Sequence, residues 1–167
     1  MIKPIKPKFR LISETIPDRF ISKVSHVCDI IGAVEEFFED NFRGAIITEA
    51  SHDTDGYLNI STDGFAFFHK VLLNAIFGES VVRLRMFTDD ASFKVEARWK
   101  VYKRISESDL ALLESTAKLS GFTMHLSDVG EDGFLLLEMP IRKTPKLAIY
   151  AVSKAQIYEA FTRVFFF

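Results

Sequence analysis

Cysteine is almost missing from this chain. Its 167 residues include one, Cys28, which cannot make an intramolecular disulfide. No Cys/His spacing of the metal-binding kind accompanies it, so a reducing compartment is the expected setting. Glycine is sparse too: the eight glycines build no Walker loop, and neither a Gly-x-Ser-x-Gly elbow nor a His-Glu-x-x-His pair occurs. Nor is there an excess of charge of one sign, since 21 Lys and Arg face 23 Asp and Glu for a formal net charge of -2. With no basic run to neutralise phosphates, a nucleic-acid partner is not expected. No apolar run approaches the roughly 20 residues of a membrane span. The opening MIKPIKPKFR lacks the apolar stretch of a signal peptide. These absences describe a soluble, cytoplasmic protein with neither a nucleic-acid nor a membrane partner.

What the chain has in plenty is phenylalanine, 17 residues of it, which implies a core or interface built on aromatic area. At this length one main domain is expected, large enough to bury roughly two-thirds of the surface its unfolded chain would expose. Residues 1–16, with Pro4 and Pro7 between lysines, read as an N-terminal arm, 17–142 as the domain, and 143–167 as a strand-helix appendage.

Thr15 with Asp18, and Pro17 in the first turn, predict the start of a long helix. Its stripe is Phe20, Val24, Val27, Ile31, Val34 and Phe38, in heptad-like spacing, and Gly44 is the expected stop. Short strands are predicted at 45–48 and 57–61, joined by a polar loop rich in turn formers. Asp63 is the expected cap of a second helix ending at Gly78, with Phe65, Phe68, Leu72 and Ile76 on one stripe and Asn74 opposite, beside Phe67 and Lys70. A hairpin over 81–87 and 92–102 turns at TDDA. Ser106 with Asp109 opens a third helix that Gly121 closes. A second hairpin runs up to Pro140, a strand is expected at 146–152, and a Ser153/Gln156 capping box opens a last helix carrying Ile157, Phe161, Val164 and Phe165. This order predicts an α/β (α+β) two-layer sandwich, one mixed sheet with helices on one face.

The order, together with YLNISTDGFAFFHKVLLNAI and LSGFTMHLSDVGEDGFLLLEMP, resembles the ATP-binding domain of histidine kinases and their relatives, which include gyrase, heat-shock protein 90 and mismatch-repair proteins. The first segment is similar to the strand, acidic residue and N-box helix of that family, and the second to its closing helix, strand, turn and strand. The likeness covers about residues 20–142. It implies that the asparagine at the place of Asn74 would help hold magnesium on the nucleotide phosphates. The resemblance breaks in the middle. After the first hairpin the family has an Asp-x-Gly-x-Gly motif whose aspartate reads adenine, and here ARWKVYKRI has neither residue type. SESDLALLES is too short for the family's glycine-rich lid, whose backbone N–H groups would cradle phosphates. Trp99 and Tyr102 are expected to fill a nucleotide pocket, and Lys70 stands where relatives often carry another asparagine.

FISKVSHVCDII resembles the phosphoacceptor box of the same family, with His26 at the place of the phosphorylated histidine, although Val27 replaces the neighbouring acid and the Arg-Thr-Pro continuation is missing. Such an imidazole needs an exposed helical position and an acid to take its proton. Cys28 is two residues from His26, off its helix face, and reads as a core thiol. His52, Asp53, Asp55, Asp89 and Asp90 read as turn residues, and Glu35, Glu36, Glu39 and Asp40 as a solvated helix end.

The expectation is a non-catalytic regulatory or protein-interaction module in bacterial signal transduction. It needs no cofactor, and it associates with a protein partner or a second copy through helix 20–38 and the C-terminal helix, whose FTRVFFF end docks on the sheet or on a partner. Two alternatives stay open: a divergent enzyme binding ATP and magnesium through Asn74, and a phosphotransferase using His26.

Overall fold

The computed structural model describes residues 20–42, 46–51, 55–74, 81–89, 91–127 and 130–166. The N-terminal arm 1–16, Gly44, His52, Asp53, Gly78 and Asp90, on which sequence-based expectations fell, lie outside them.

Alternating apolar and polar residues set the sheet. Strands β2 (Ile46–Ala50), β4 (Val82–Thr88), β5 (Ser92–Lys100), β6 (Thr123–Ser127) and β7 (Asp132–Pro140) pair in the order β2-β4-β5-β7-β6. The β2–β4 pair is parallel and the others antiparallel, so the sheet is mixed as expected. Successive side chains point to opposite faces. Val82, Leu84 and Met86, Phe93, Val95, Ala97 and Trp99, and Leu135, Leu137 and Met139 are buried on one face. Arg83, Arg85 and Arg98 are exposed on the other. Asp89 holds the β4–β5 turn by accepting from the N–H groups of Ala91 and Ser92 at 3.1 and 3.0 Å, while Lys94 Nζ lies 2.6 Å from its carboxylate. These bonds, the lysine contact foremost, hold its carboxyl well below the usual carboxylate range.

Helices α1 (Val27–Asn41), α2 (Thr62–Leu72), α3 (Glu107–Ser120) and α4 (Lys154–Phe165) complete the two-layer architecture. Ser106 caps α3 through the Asp109 N–H at 3.1 Å, and Gly121 closes it at φ 95°, a left-handed position that glycine takes without strain. Ser153 and Gln156 form the expected capping box of α4. The Cβ-free Gly133 on β7 lies against the Trp99 ring, with no room for a side chain between them.

Four expectations are corrected. The segment 20–38 is not one helix. Lys23–His26 is strand β1, paired antiparallel with β3 (Tyr57–Ile60), and the helix begins at Val27. Spacing by four and three fits Val24 as well as Val27, so only the hydrogen-bonded partner decides between them. The stripe proposed for association is interior, because Val27, Ile31, Val34 and Phe38 are 0–1% exposed. Residues 145–150 form a 3-10 turn instead of a strand: Pro145 starts it, and the Leu147 N–H bonds the Thr144 carbonyl at 3.0 Å. Only Val152 beyond it bridges to Ser25. Finally, α4 docks on α1 and α2 and not on the sheet. Phe161, fully buried, meets Phe37, Phe38, Phe65 and His69 with ring centroids 5.5 to 6.2 Å apart, and Phe165 stacks on it. The Phe excess is spent here, each fully buried ring contributing about 1.5–3 kcal/mol.

Candidate functional site

The residues singled out by sequence lie on three elements: Lys70 and Asn74 at the end of α2, Trp99 and Tyr102 at and just beyond the end of β5, and His26 at the start of α1. Helix α2 begins at Ser61, whose Oγ accepts the Gly64 N–H at 3.0 Å. Asp63, expected as the cap, is instead an ion-pair partner of Arg163 on α4 at 2.6 Å. At its far end α2 loosens into a wider turn over Leu73 and Asn74, and Asn74 is exposed. Lys70 lies one turn before it, on the same side. Its ammonium donates to the Val164 carbonyl at 3.0 Å, satisfying one of the orphan acceptors at the α4 C-terminus and complementing the helix dipole there. At this place, where the resemblance implies a second asparagine, the lysine instead holds the C-terminal helix.

Strand β5 carries the two aromatics singled out by sequence at and just beyond its end. Its buried alternation Val95, Ala97, Trp99 puts the indole in the last inward position, 4% exposed. Residues 101–106 then lead directly to α3. Tyr102 is 81% exposed, so of the two aromatics expected to fill a nucleotide pocket only Trp99 is buried.

No protein-family profile matches the chain, and no curated protein matches it either. Solved structures do. A histidine kinase of Acinetobacter baumannii, AdeS, superposes with TM-score 0.53 at 12% identity, covering 81% of this chain and 76% of that one. The catalytic domain of histidine kinase ThkA, nucleotide-free, superposes with TM-score 0.52 at 15% identity, covering 74% of this chain and 99% of that one. The fold is that of a histidine-kinase ATP-binding domain. At such identities the likeness speaks for the fold alone.

On this kinase-type fold, the fit to a magnesium nucleotide held as the resemblance implies is poor. The Trp99 indole is buried at the last inward position of β5, and neither ARWKVYKRI nor the residues up to Ser106 supply an aspartate or a glycine. Asn74, which the resemblance would make a magnesium ligand, is exposed.

The structure places His26 far from the geometry of a phosphoacceptor on a helix. It is the N-cap of α1: Nδ1 accepts the Cys28 N–H at 3.1 Å, so Nε2 carries the proton and donates to Asp55 Oδ1 at 3.1 Å. Tyr57 meets the ring edge-on at 5.0 Å. Both nitrogens are thus engaged in holding a helix start and the loop before β3. Cys28 is half-buried on α1. Among the described residues no group of three or more His, Cys, Asp or Glu could hold a metal ion, and no helix is long and apolar enough to cross a membrane.

Sequence reasoning missed His69. It is 3% exposed, and its Nδ1–H donates to the Phe65 carbonyl at 2.8 Å. Its Nε2 has no hydrogen-bond partner among the described residues. Burial, opposed only by the backbone bond, pushes its pKa down to about 4. It also missed that the acidic run on α1 serves α4: Glu36 pairs with Lys154 at 2.7 Å, and Asp40 accepts from Tyr158 Oη at 3.3 Å. Reading Ser153–Phe165 and Glu35–Asp40 together as two facing amphipathic helices was the available signal.

Proposed function

We propose that this chain is a non-catalytic regulatory or protein-interaction module of bacterial signal transduction, built on a histidine-kinase ATPase-type fold that has given up its nucleotide. The observation that carries this reading is Trp99. Its indole is buried at the last inward position of β5, packed so closely on Gly133 that a side chain there would meet it. It lies in the segment ARWKVYKRI, which the resemblance puts at the place of the adenine-reading motif and which holds neither aspartate nor glycine. Lys70, bound to the end of α4 at the second asparagine position of the N-box, supports it. The engaged nitrogens of His26 speak against phosphotransfer there.

A thermal-shift titration with Mg-ATP and Mg-ADP, repeated with Asn74→Ala, tests the proposal. A ligand at 100 times its dissociation constant would stabilise the fold by about 2.7 kcal/mol. No shift at millimolar nucleotide is expected. A rise in melting temperature that Asn74→Ala abolishes would make this a divergent nucleotide-binding domain and overturn the proposal.

A further inference from the structure

One end of the molecule combines exposed apolar side chains with a group of exposed basic ones. Ile149 is 80% exposed, Tyr150 68% and Ile21 66%, the first two on the 145–150 turn and the third beside β1. The turn is firmly held. The Val152 N–H bonds the Val24 carbonyl at 2.9 Å, and Tyr57 and Arg142 exchange both backbone bonds, at 2.8 and 2.9 Å. This pairing brings the turn alongside residues 21–24. Lys23, Arg142, Lys143 and Lys146 are exposed around it, and the nearby carboxylate of Asp55, two residues before Tyr57, is engaged by His26. From Met139 to Tyr158 the sequence holds no acidic residue, although the whole chain is net negative at -2.

Exposed aliphatic and aromatic side chains on a firmly held turn, ringed by lysine and arginine, suit an interface with hydrocarbon below and anionic headgroups around it. Residues two-thirds to four-fifths exposed protrude instead of lining a cleft, which favours a planar surface over an acidic peptide laid in a groove. We infer that residues 21–24 and 141–150 form a docking surface for an anionic lipid bilayer. Ile149 and Tyr150 enter the headgroup boundary, and Lys23, Arg142, Lys143 and Lys146 pair with lipid phosphates. A contact of this kind needs no spanning segment, so it departs from the expectation drawn from the lack of one. The net negative remainder of the molecule would orient away from the bilayer. The inference is independent of whether nucleotide binds.

Co-sedimentation of the full chain with phosphatidylcholine vesicles, and with vesicles in which about a quarter of the lipid is phosphatidylglycerol, tests it. Binding is expected to the anionic vesicles only. It should weaken by about tenfold or more in Lys143→Glu/Lys146→Glu and in Ile149→Ser/Tyr150→Ser, both of which should keep the wild-type melting temperature. Binding of the wild-type chain should also fall steeply with added salt. Failure to bind anionic vesicles, equal binding to both kinds, or indifference to charge reversal would each overturn the inference. So would capture of poly-glutamate in place of vesicles, which would reassign the surface to an acidic polypeptide.

Discussion

His69 should make this protein acid-sensitive in a definite pH window. Its imidazole is enclosed by Phe38, Phe65, Phe68 and Phe161, with ring centroids 4.5 to 6.2 Å away, and its Nε2 lone pair faces no donor among the described residues. Protonation would place an uncompensated charge in that cage. The folded-state pKa of about 4 lies below the ordinary 6.5, so between these values the unfolded chain binds more protons than the folded one. Stability therefore falls as pH falls through this window, and is fully present above it. One pKa unit corresponds to about 1.4 kcal/mol, which gives a loss of about 2.5 kcal/mol between about pH 7.5 and pH 4.5. Urea unfolding at a series of pH values would measure it, with His69→Phe as the reference that keeps the ring and removes the titration. Other groups titrate in both proteins and cancel in the difference. The wild-type chain should lose about 2.5 kcal/mol more than the variant over this range. Parallel profiles would refute the reasoning and mean that the imidazole is hydrated or finds an acceptor for its second proton.

Two further substitutions probe the site and its cover. In Gly133→Ala the new methyl would land inside the Trp99 indole, so a loss of about 1–3 kcal/mol is expected by chemical denaturation. An unchanged midpoint would show that the ring moves aside easily, which would weaken the argument that it fills the nucleotide position. Phe161→Ala empties the centre of the aromatic cluster that joins α4 to α1 and α2. It should cost about 3–5 kcal/mol and speed proteolysis of the C-terminal helix. A loss under about 1 kcal/mol would mean that α4 is held by its ion pairs, Arg163–Asp63 and Lys154–Glu36, more than by its rings.

The fold was legible largely because its signals are local. Period-two alternation marked β4, β5 and β7, and Ser106, Gly121 and the Ser153/Gln156 pair marked helix ends, each through bonds made within a few residues. Together with the two flanking segments, that order was enough for the resemblance. The candidate site was half legible. The lack of aspartate and glycine after β5 is a fact of sequence, but which aromatic takes the space depended on strand phase, and Trp99 faces inward while Tyr102 faces solvent.

What the sequence by itself determined, then, was most of the elements, their order, and the lack of aspartate and glycine in the residues after β5, because helix caps, turns and alternation involve neighbours along the chain. Only the tertiary structure decided the rest. Lys23–His26 is a strand because Tyr57–Ile60 offers it hydrogen bonds. The stripe meant for a partner is interior because α4 and the sheet cover it. Lys70 reads as a worn N-box position until the carbonyl of Val164, 94 residues away, comes within 3.0 Å. His69 resembles any helix-surface histidine until Phe38 and Phe161 close over it. Each of these outcomes depends on partners distant in sequence, and hydrophobic spacing fixes which face of an element is apolar without naming what will bury it.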